Sequence, residues 1–211
     1  FVIGGRDREQ PETALNTIYM LDTTPDTDKM KWVSLPPFPG EGRILSTAAV
    51  CDSTLFIIGG CSLSRDNSGE TSRTYLSDMI GYDMTSKDPS KWGSSGRQQL
   101  AGPGMPVAAA AGPAPVRENS ILLIGGDKRG NSPDPSRPVA QSRDILVYDV
   151  IGNTWTRQGE WPVGIATVPA VVRGSEIMTI SGETAPGVRT PVNASASAGY
   201  HFEMSTVDYA V

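Results

Sequence analysis

The chain has little of the chemistry that most catalytic centres are built from. Among its 211 residues there is one histidine and there are two cysteines, so no Cys/His cluster with zinc-ligand spacing can be assembled from it. Asp66, Asn67, Glu70, Asp127 and Asp134 do not fall at the spacing of an EF-hand loop. A Gly-x-Gly-x-x-Gly stretch after a strand and a Gly-x-Ser-x-Gly elbow are both missing. Positive charge is also scarce: 18 Lys and Arg stand against 23 Asp and Glu, a net charge of −5 with no basic run, which sets aside nucleic acid and anionic membranes as partners. No apolar run approaches the roughly 18 residues that span a bilayer. Phe1 to Gly5 lack the charged start and cleavage site of a secretory signal, and the chain opens without Met, as expected of a piece of a longer gene product.

The two cysteines are expected to be free and buried. In the hairpin reading below, Cys51 ends one strand and Cys61 lies past the far end of the returning strand. Their separation of roughly 23 Å along the strand exceeds the ~7 Å limit for a disulfide.

What the sequence does have is glycine, proline and a repeat. An apolar, β-branched run ending in paired glycines occurs at Phe1-Val-Ile-Gly-Gly5, Leu55-Phe-Ile-Ile-Gly-Gly60 and Ile121-Leu-Leu-Ile-Gly-Gly126, with an altered copy at Ile177-Met-Thr-Ile-Ser-Gly-Glu183. The steps between Gly5, Gly60, Gly126 and Gly182 are 55, 66 and 56 residues, close to the ~50 of kelch repeats. Each run is followed by a long polar loop and a short strand closing on an acid, at Asp22, Asp83 and Asp149, and then by a strand bearing Trp32, Trp92 or Trp155. Small and apolar runs lead into the next copy, giving four strands per unit.

These features predict an all-β, kelch-type β-propeller with little helix. About three and a half to four blades are expected, at approximately 1–39, 40–99, 100–160 and 161–211, of a six-bladed ring whose remaining blades come from the rest of a longer chain. Runs apolar on both faces are expected to stack between blades, the glycine pairs to let backbones approach, and the tryptophans to fill the inter-blade space. Turns between first and second strands are short, whereas the connections from second to third strands are long, so function is expected on the long-loop face. His201, the lone histidine, reads as a half-buried sheet residue.

The altered fourth copy carries the candidate site. Glu183 stands where a strand ends at the mouth, and Pro186-Gly187 has the form of a type II turn that folds Arg189 back towards it. A carboxylate beside a fixed cation suits a base with an anchor, and equally a surface ion pair. Arg43, after Gly40-Glu41-Gly42, is a further candidate for the mouth of the channel, its alternative a solvated turn residue.

Lys31-Trp-Val-Ser-Leu-Pro-Pro-Phe-Pro-Gly40, Ser77-Asp-Met-Ile-Gly-Tyr-Asp83 and above all Gly182-Glu-Thr-Ala-Pro-Gly-Val-Arg-Thr190 resemble the bacterial N-acetylneuraminate epimerase (sialic acid mutarotase) family. The resemblance runs through most of the chain in the same blade order. It implies a six-bladed propeller, an isomerase that interconverts the anomers of a sialic acid without a cofactor, a catalytic Glu183, an essential Arg189 and a periplasmic or secreted location. Arg189 is expected to anchor the substrate, with Arg43, from its place in the chain, a weaker candidate for the same pocket. A non-catalytic kelch propeller that binds a glycan or protein through its loop face is the alternative. Glu183 with Arg189 separates the two readings, since a binding module needs no base at a strand end.

Overall fold

The computed structural model describes residues 1–24, 26–92, 105–106, 109–128 and 140–198, together with the backbone of 202–207. The expectation of an all-β protein holds: eighteen strands and two single turns of 3-10 helix make up the regular structure of these residues. The third repeat is a complete antiparallel blade, in which β9 (Val116–Arg117), β10 (Ser120–Ile124), β11 (Asp144–Asp149) and β12 (Thr154–Glu160) pair in chain order. The fourth repeat does the same with β13 (Ala170–Arg173), β14 (Glu176–Ile180), β17 (Asn193–Ala198) and β18 (Phe202–Val207). In the second, β4 (Thr47–Cys51), β5 (Thr54–Ile58) and β8 (Met79–Asp83) form the sheet; in the first, β1 (Val2–Ile3), β2 (Ile18–Asp22) and β3 (Lys31–Leu35) do.

The expected short turns are two-residue hairpin links, such as Asp52-Ser53 and Gly174-Ser175, with Asp52 and Gly174 in the left-handed region that such turns need. On the opposite face, the second-to-third connections are long enough to build structure of their own. One holds the hairpin β6 (Cys61–Arg65) and β7 (Thr71–Tyr75); another holds β15 (Glu183–Ala185) and β16 (Val188–Arg189). The acids that close the third strands have a local role. Asp22, Asp83 and Asp149 each accept the backbone N–H two residues on, from Thr24, Thr85 and Ile151, which turns the chain towards the outer strand.

Strand alternation explains why the core runs are apolar on both faces. Along β5, Leu55 and Ile57 pack with Ile18, Leu35 and Phe38 of the first blade, while Phe56 and Ile58 pack with Ile121, Leu123 and Tyr148 of the third. Along β10, Leu122 and Ile124 face the fourth blade and meet Trp161, Ile165 and Ile177. Each fully buried side chain of this size contributes about 1.5–3 kcal/mol. The glycine pairs mark close approach between blades: a Cβ on Gly4, Gly59 or Gly125 would lie 2.4, 2.3 or 2.4 Å from the carbonyl oxygen of Arg43, Ala109 or Ile165.

Of the three tryptophans expected between blades, Trp92 and Trp155 pack against the inter-blade core, and Trp32 needs correction. Trp32 lies on β3 but is 58% exposed, with no element among the described residues covering it. Trp92 follows a single 3-10 turn, Pro89–Lys91, and the outer strand expected after it lies outside the described residues. Trp155 is partly buried against the core between the second and third blades, its ring tilted 42° to that of Tyr148 at 5.2 Å. The tryptophan that plugs an inter-blade space is Trp161, fully buried, with its indole N–H on the Thr179 hydroxyl at 3.0 Å. The fourth sheet also has an outer strand, β18, which carries no tryptophan. Cys51 and Cys61 are both buried, and no disulfide joins them.

Candidate functional site

The β15–β16 hairpin forms because Pro186-Gly187 supplies its turn, with Gly187 at φ 75°, the conformation that the third position of a type II turn requires. Glu183 and Arg189 are therefore register partners, on one face of the hairpin. The hairpin is tied to the inner part of its blade by a two-bond bridge: Ala166 N–H donates to the Glu183 carbonyl at 2.9 Å, and Glu183 N–H to the Ala166 carbonyl at 3.0 Å.

Both oxygens of the Glu183 carboxylate are held. Oε1 accepts the Gly187 N–H at 2.7 Å, and Oε2 accepts the Thr167 hydroxyl at 3.2 Å and lies 3.8 Å from Arg189 Nη2. Arg189 Nη1 donates to the Thr167 hydroxyl at 2.9 Å. The glutamate side chain is 17% exposed and the arginine 65%, so a sheltered carboxylate sits beside a guanidinium largely open to solvent. The expected approach of Arg189 to Glu183 is thus present, with Thr167 between them.

Thr167 also lines an open cavity of about 490 Å3, whose walls are the same stretch of three successive blades: Leu45 to Ala48, Ala111 to Pro115 and Thr167 to Ala170. These are the segments that enter the innermost strands. Two backbone hydrogen bonds stitch them, from Ala111 N–H to the Leu45 carbonyl and from Thr167 N–H to the Ala111 carbonyl, each at 2.8 Å, and the Thr47 hydroxyl donates to the Gly112 carbonyl. Small side chains and prolines give this wall a mostly apolar lining, and the Glu183–Arg189 pair reaches it through Thr167.

Arg43 does not sit at the mouth as expected, nor as a solvated turn residue. Its side chain is 1% exposed, and its guanidinium is spent on the protein: Nη1 and Nη2 donate to the two carboxylate oxygens of Asp78, Nη1 also to the Gly59 carbonyl at 3.1 Å, and its plane lies 5.6 Å over Phe38. It ties the entry of β4 to the approach to β8 within the second blade, while its backbone bonds Gly5 and Leu15 of the first, and its burial closes the guanidinium to a ligand. Asp66 is likewise structural: its Oδ1 accepts the Ser68 hydroxyl, whose bond does most to hold its pKa down, and the N–H groups of Glu70 and Ser68, which close the β6–β7 turn. Asp127 is buried and accepts the Tyr75 hydroxyl at 2.8 Å. Asp134 and His201 lie outside the described residues, among which no cluster of metal-ligating side chains occurs. No helix among them is long and apolar enough to cross a membrane.

Sequence reasoning missed Thr167. It lies in an apolar run, Ile165 to Val172, and reads there as an ordinary strand residue. Aligning the repeats on their glycine pairs would have flagged it, since the matching positions, Leu45 and Ala111, are apolar.

No protein-family model matches the chain. Among curated proteins it is similar to the N-acetylneuraminate epimerase of Yersinia enterocolitica, with 24% identity over 78% of this chain and 47% of the relative. It is similar also to N-acetylneuraminate epimerase 1 of Escherichia coli, with 26% identity over 83% of this chain and 50% of the relative, and to the Haemophilus influenzae protein of the same name, with 25% identity over 76% and 46%. The chain thus spans about half the length of the curated relatives it matches. Among solved structures it superposes on YjhT with a TM-score of 0.69 and 21% identity, over 98% of this chain and 64% of that one. The fold is that of a kelch-type β-propeller, and the resemblance to the bacterial epimerases read from the sequence is borne out.

Proposed function

We propose that this chain carries the catalytic part of a sialic acid mutarotase, which interconverts the α and β anomers of N-acetylneuraminate, with Glu183 as the general base and Arg189 as the anchor for the sugar's carboxylate. The observation that carries the reading is the meeting of these two side chains beside the cavity between the blades. The names of the curated relatives point to the same substrate.

The chemistry asks little of the protein. The base takes the proton of the anomeric hydroxyl, a carbonyl forms there as the bond to the ring oxygen breaks, and the ring oxygen takes up a proton. Rotation of the open form and closure on the other face of the carbonyl return the proton. Atoms and electrons balance without a cofactor. Glu183 suits the base because hydrogen bonds fix its direction and it is sheltered, and Arg189 suits the anchor because a guanidinium matches a carboxylate with two parallel N–H groups. Since the chain covers about half of its relatives, we propose that the remaining blades of a longer chain complete the cavity.

The test is anomer exchange followed by NMR, starting from freshly released α-N-acetylneuraminate, with the wild-type chain, the full-length gene product and their Glu183→Gln variants. Exchange above the buffer rate that Glu183→Gln removes supports the proposal. Rates equal to buffer for every protein would overturn it and leave the non-catalytic, glycan- or protein-binding propeller as the reading.

A further inference from the structure

Thr167 holds a backbone conformation that its residue type disfavours. Its φ is 55°, in the left-handed region, where a β-branched side chain is a costly choice. The matching positions of the two preceding blades adopt the same conformation, with Leu45 at 56° and Ala111 at 57°. At all three the fold uses the backbone: Leu45 gives its carbonyl, Thr167 its N–H, and Ala111 both. Alanine meets that need at position 111. The fold therefore does not explain a threonine at 167.

The hydroxyl does. A guanidinium can only donate, so the Arg189 Nη1–H occupies the oxygen of Thr167 as acceptor, and the single hydroxyl proton is directed at Glu183 Oε2. We infer that Thr167 is a positioning residue, which fixes the Glu183 carboxylate and the Arg189 guanidinium relative to each other and to the cavity it lines. Its role in turnover rests on the mutarotase reading, but the geometry does not. With Oε1 on the Gly187 N–H and Oε2 on Thr167, the carboxylate is held at both ends, each oxygen keeping room for one more hydrogen bond. With Nη1 on Thr167 and Nη2 3.8 Å from Glu183 Oε2, the largely exposed Arg189 still has N–H groups, the Nε–H among them, for an incoming carboxylate. A side chain that sets both groups should affect the chemical step and substrate binding together.

Two variants test this. Thr167→Ala keeps the backbone bond to Ala111 and has its precedent in that residue; Thr167→Ser keeps the hydroxyl and removes only the methyl group. The Gly187 amide, bonded to the carboxylate, reports its orientation in 1H–15N spectra without any need for activity. We expect the Gly187 resonance to move in Thr167→Ala and to stay in place in Thr167→Ser. In anomer exchange, kcat should fall about ten- to a hundredfold and KM rise in Thr167→Ala, with both restored to within about threefold by Thr167→Ser. A Gly187 resonance unmoved by Thr167→Ala, or equal losses in both variants, overturns the positioning role. If the wild-type protein exchanges anomers no faster than buffer, the mutarotase reading falls, and the Gly187 resonance alone decides the role of Thr167.

Discussion

Arg43 grips Asp78 with both terminal nitrogens, Nη1 to Oδ1 at 2.9 Å and Nη2 to Oδ2 at 3.0 Å, across 35 residues of sequence. The arginine is buried and the aspartate 48% exposed. Removing the aspartate leaves a buried positive charge with only the Gly59 carbonyl as partner. Asp78→Ala is expected to cost about 3 kcal/mol, the low end of what breaking a buried pair costs, because one partner is half in water. Denaturant unfolding reads this directly, and a loss below about 0.5 kcal/mol would contradict the fastening role.

The two proposed site residues should fail in different ways. Glu183→Gln is expected to lower kcat by about 10²- to 10⁴-fold without a fall in melting temperature of more than a few degrees. Arg189→Lys keeps the charge but loses the paired N–H edge, so KM should rise about tenfold or more while kcat falls less. Equal effects of both variants on kcat alone would argue against an anchor at position 189.

Tyr82 gives a prediction for alkaline solution. Its hydroxyl donates to the Pro36 carbonyl at 2.9 Å between the second blade and the first, and burial pushes its pKa up to about 12 from the ordinary 10. A phenol whose pKa is higher in the folded state stabilises that state fully below pH 10 and loses the contribution as pH rises from 10 to 12. Tyr82→Phe should therefore flatten the fall in melting temperature across that interval. Burial and the neighbouring Asp149 raise Tyr148 as well, so absorbance at 295 nm should show more than one tyrosine of the wild type titrating late, and one fewer in the variant.

Glycines of similar backbone conformation should differ sharply in tolerance. Gly125 and Gly174 both have positive φ, at 65° and 59°. A Cβ on Gly125 would stand 2.4 Å from the Ile165 carbonyl oxygen, whereas one on Gly174 meets nothing within 4 Å. Gly174→Ala is expected to cost about 1–2 kcal/mol of backbone strain. Gly125→Ala adds a clash between two blades and is expected to unfold the protein or to cost well beyond that, as thermal melts of the pair would reveal.

Much of this architecture is written locally and can be read without coordinates. The glycine pairs, the acids at Asp22, Asp83 and Asp149, and the Pro186-Gly187 turn act within a few residues of themselves, so their types announce their roles. The meeting of Glu183 with Arg189 was legible for the same reason, because one tight turn joins them. Arg43 was not, since its fate depends on Asp78 and on Phe38 lying beneath it, and a glycine-rich approach at Gly40-Glu41-Gly42 looks like an exposed turn. Trp32 and Trp161 fail as sequence signals in opposite directions: burial depends on which blade lies next door, and residue type carries no record of neighbours. Thr167 is legible only when three repeats are set side by side, because its conformation comes from the inner stitching of the blades and its partners from a hairpin further along the chain.

The alternation of β5 and β10 makes melting a contagious process. Phe56 and Leu55 are adjacent in the chain yet line different interfaces, so when one blade opens, each neighbour loses the lining of one whole side at once. Unfolding should then travel from sheet to sheet, and the slowest amide hydrogen exchange should fall on β5 and β10, the two strands sealed on both sides, ahead of β2 and β14 at the ends of the arc.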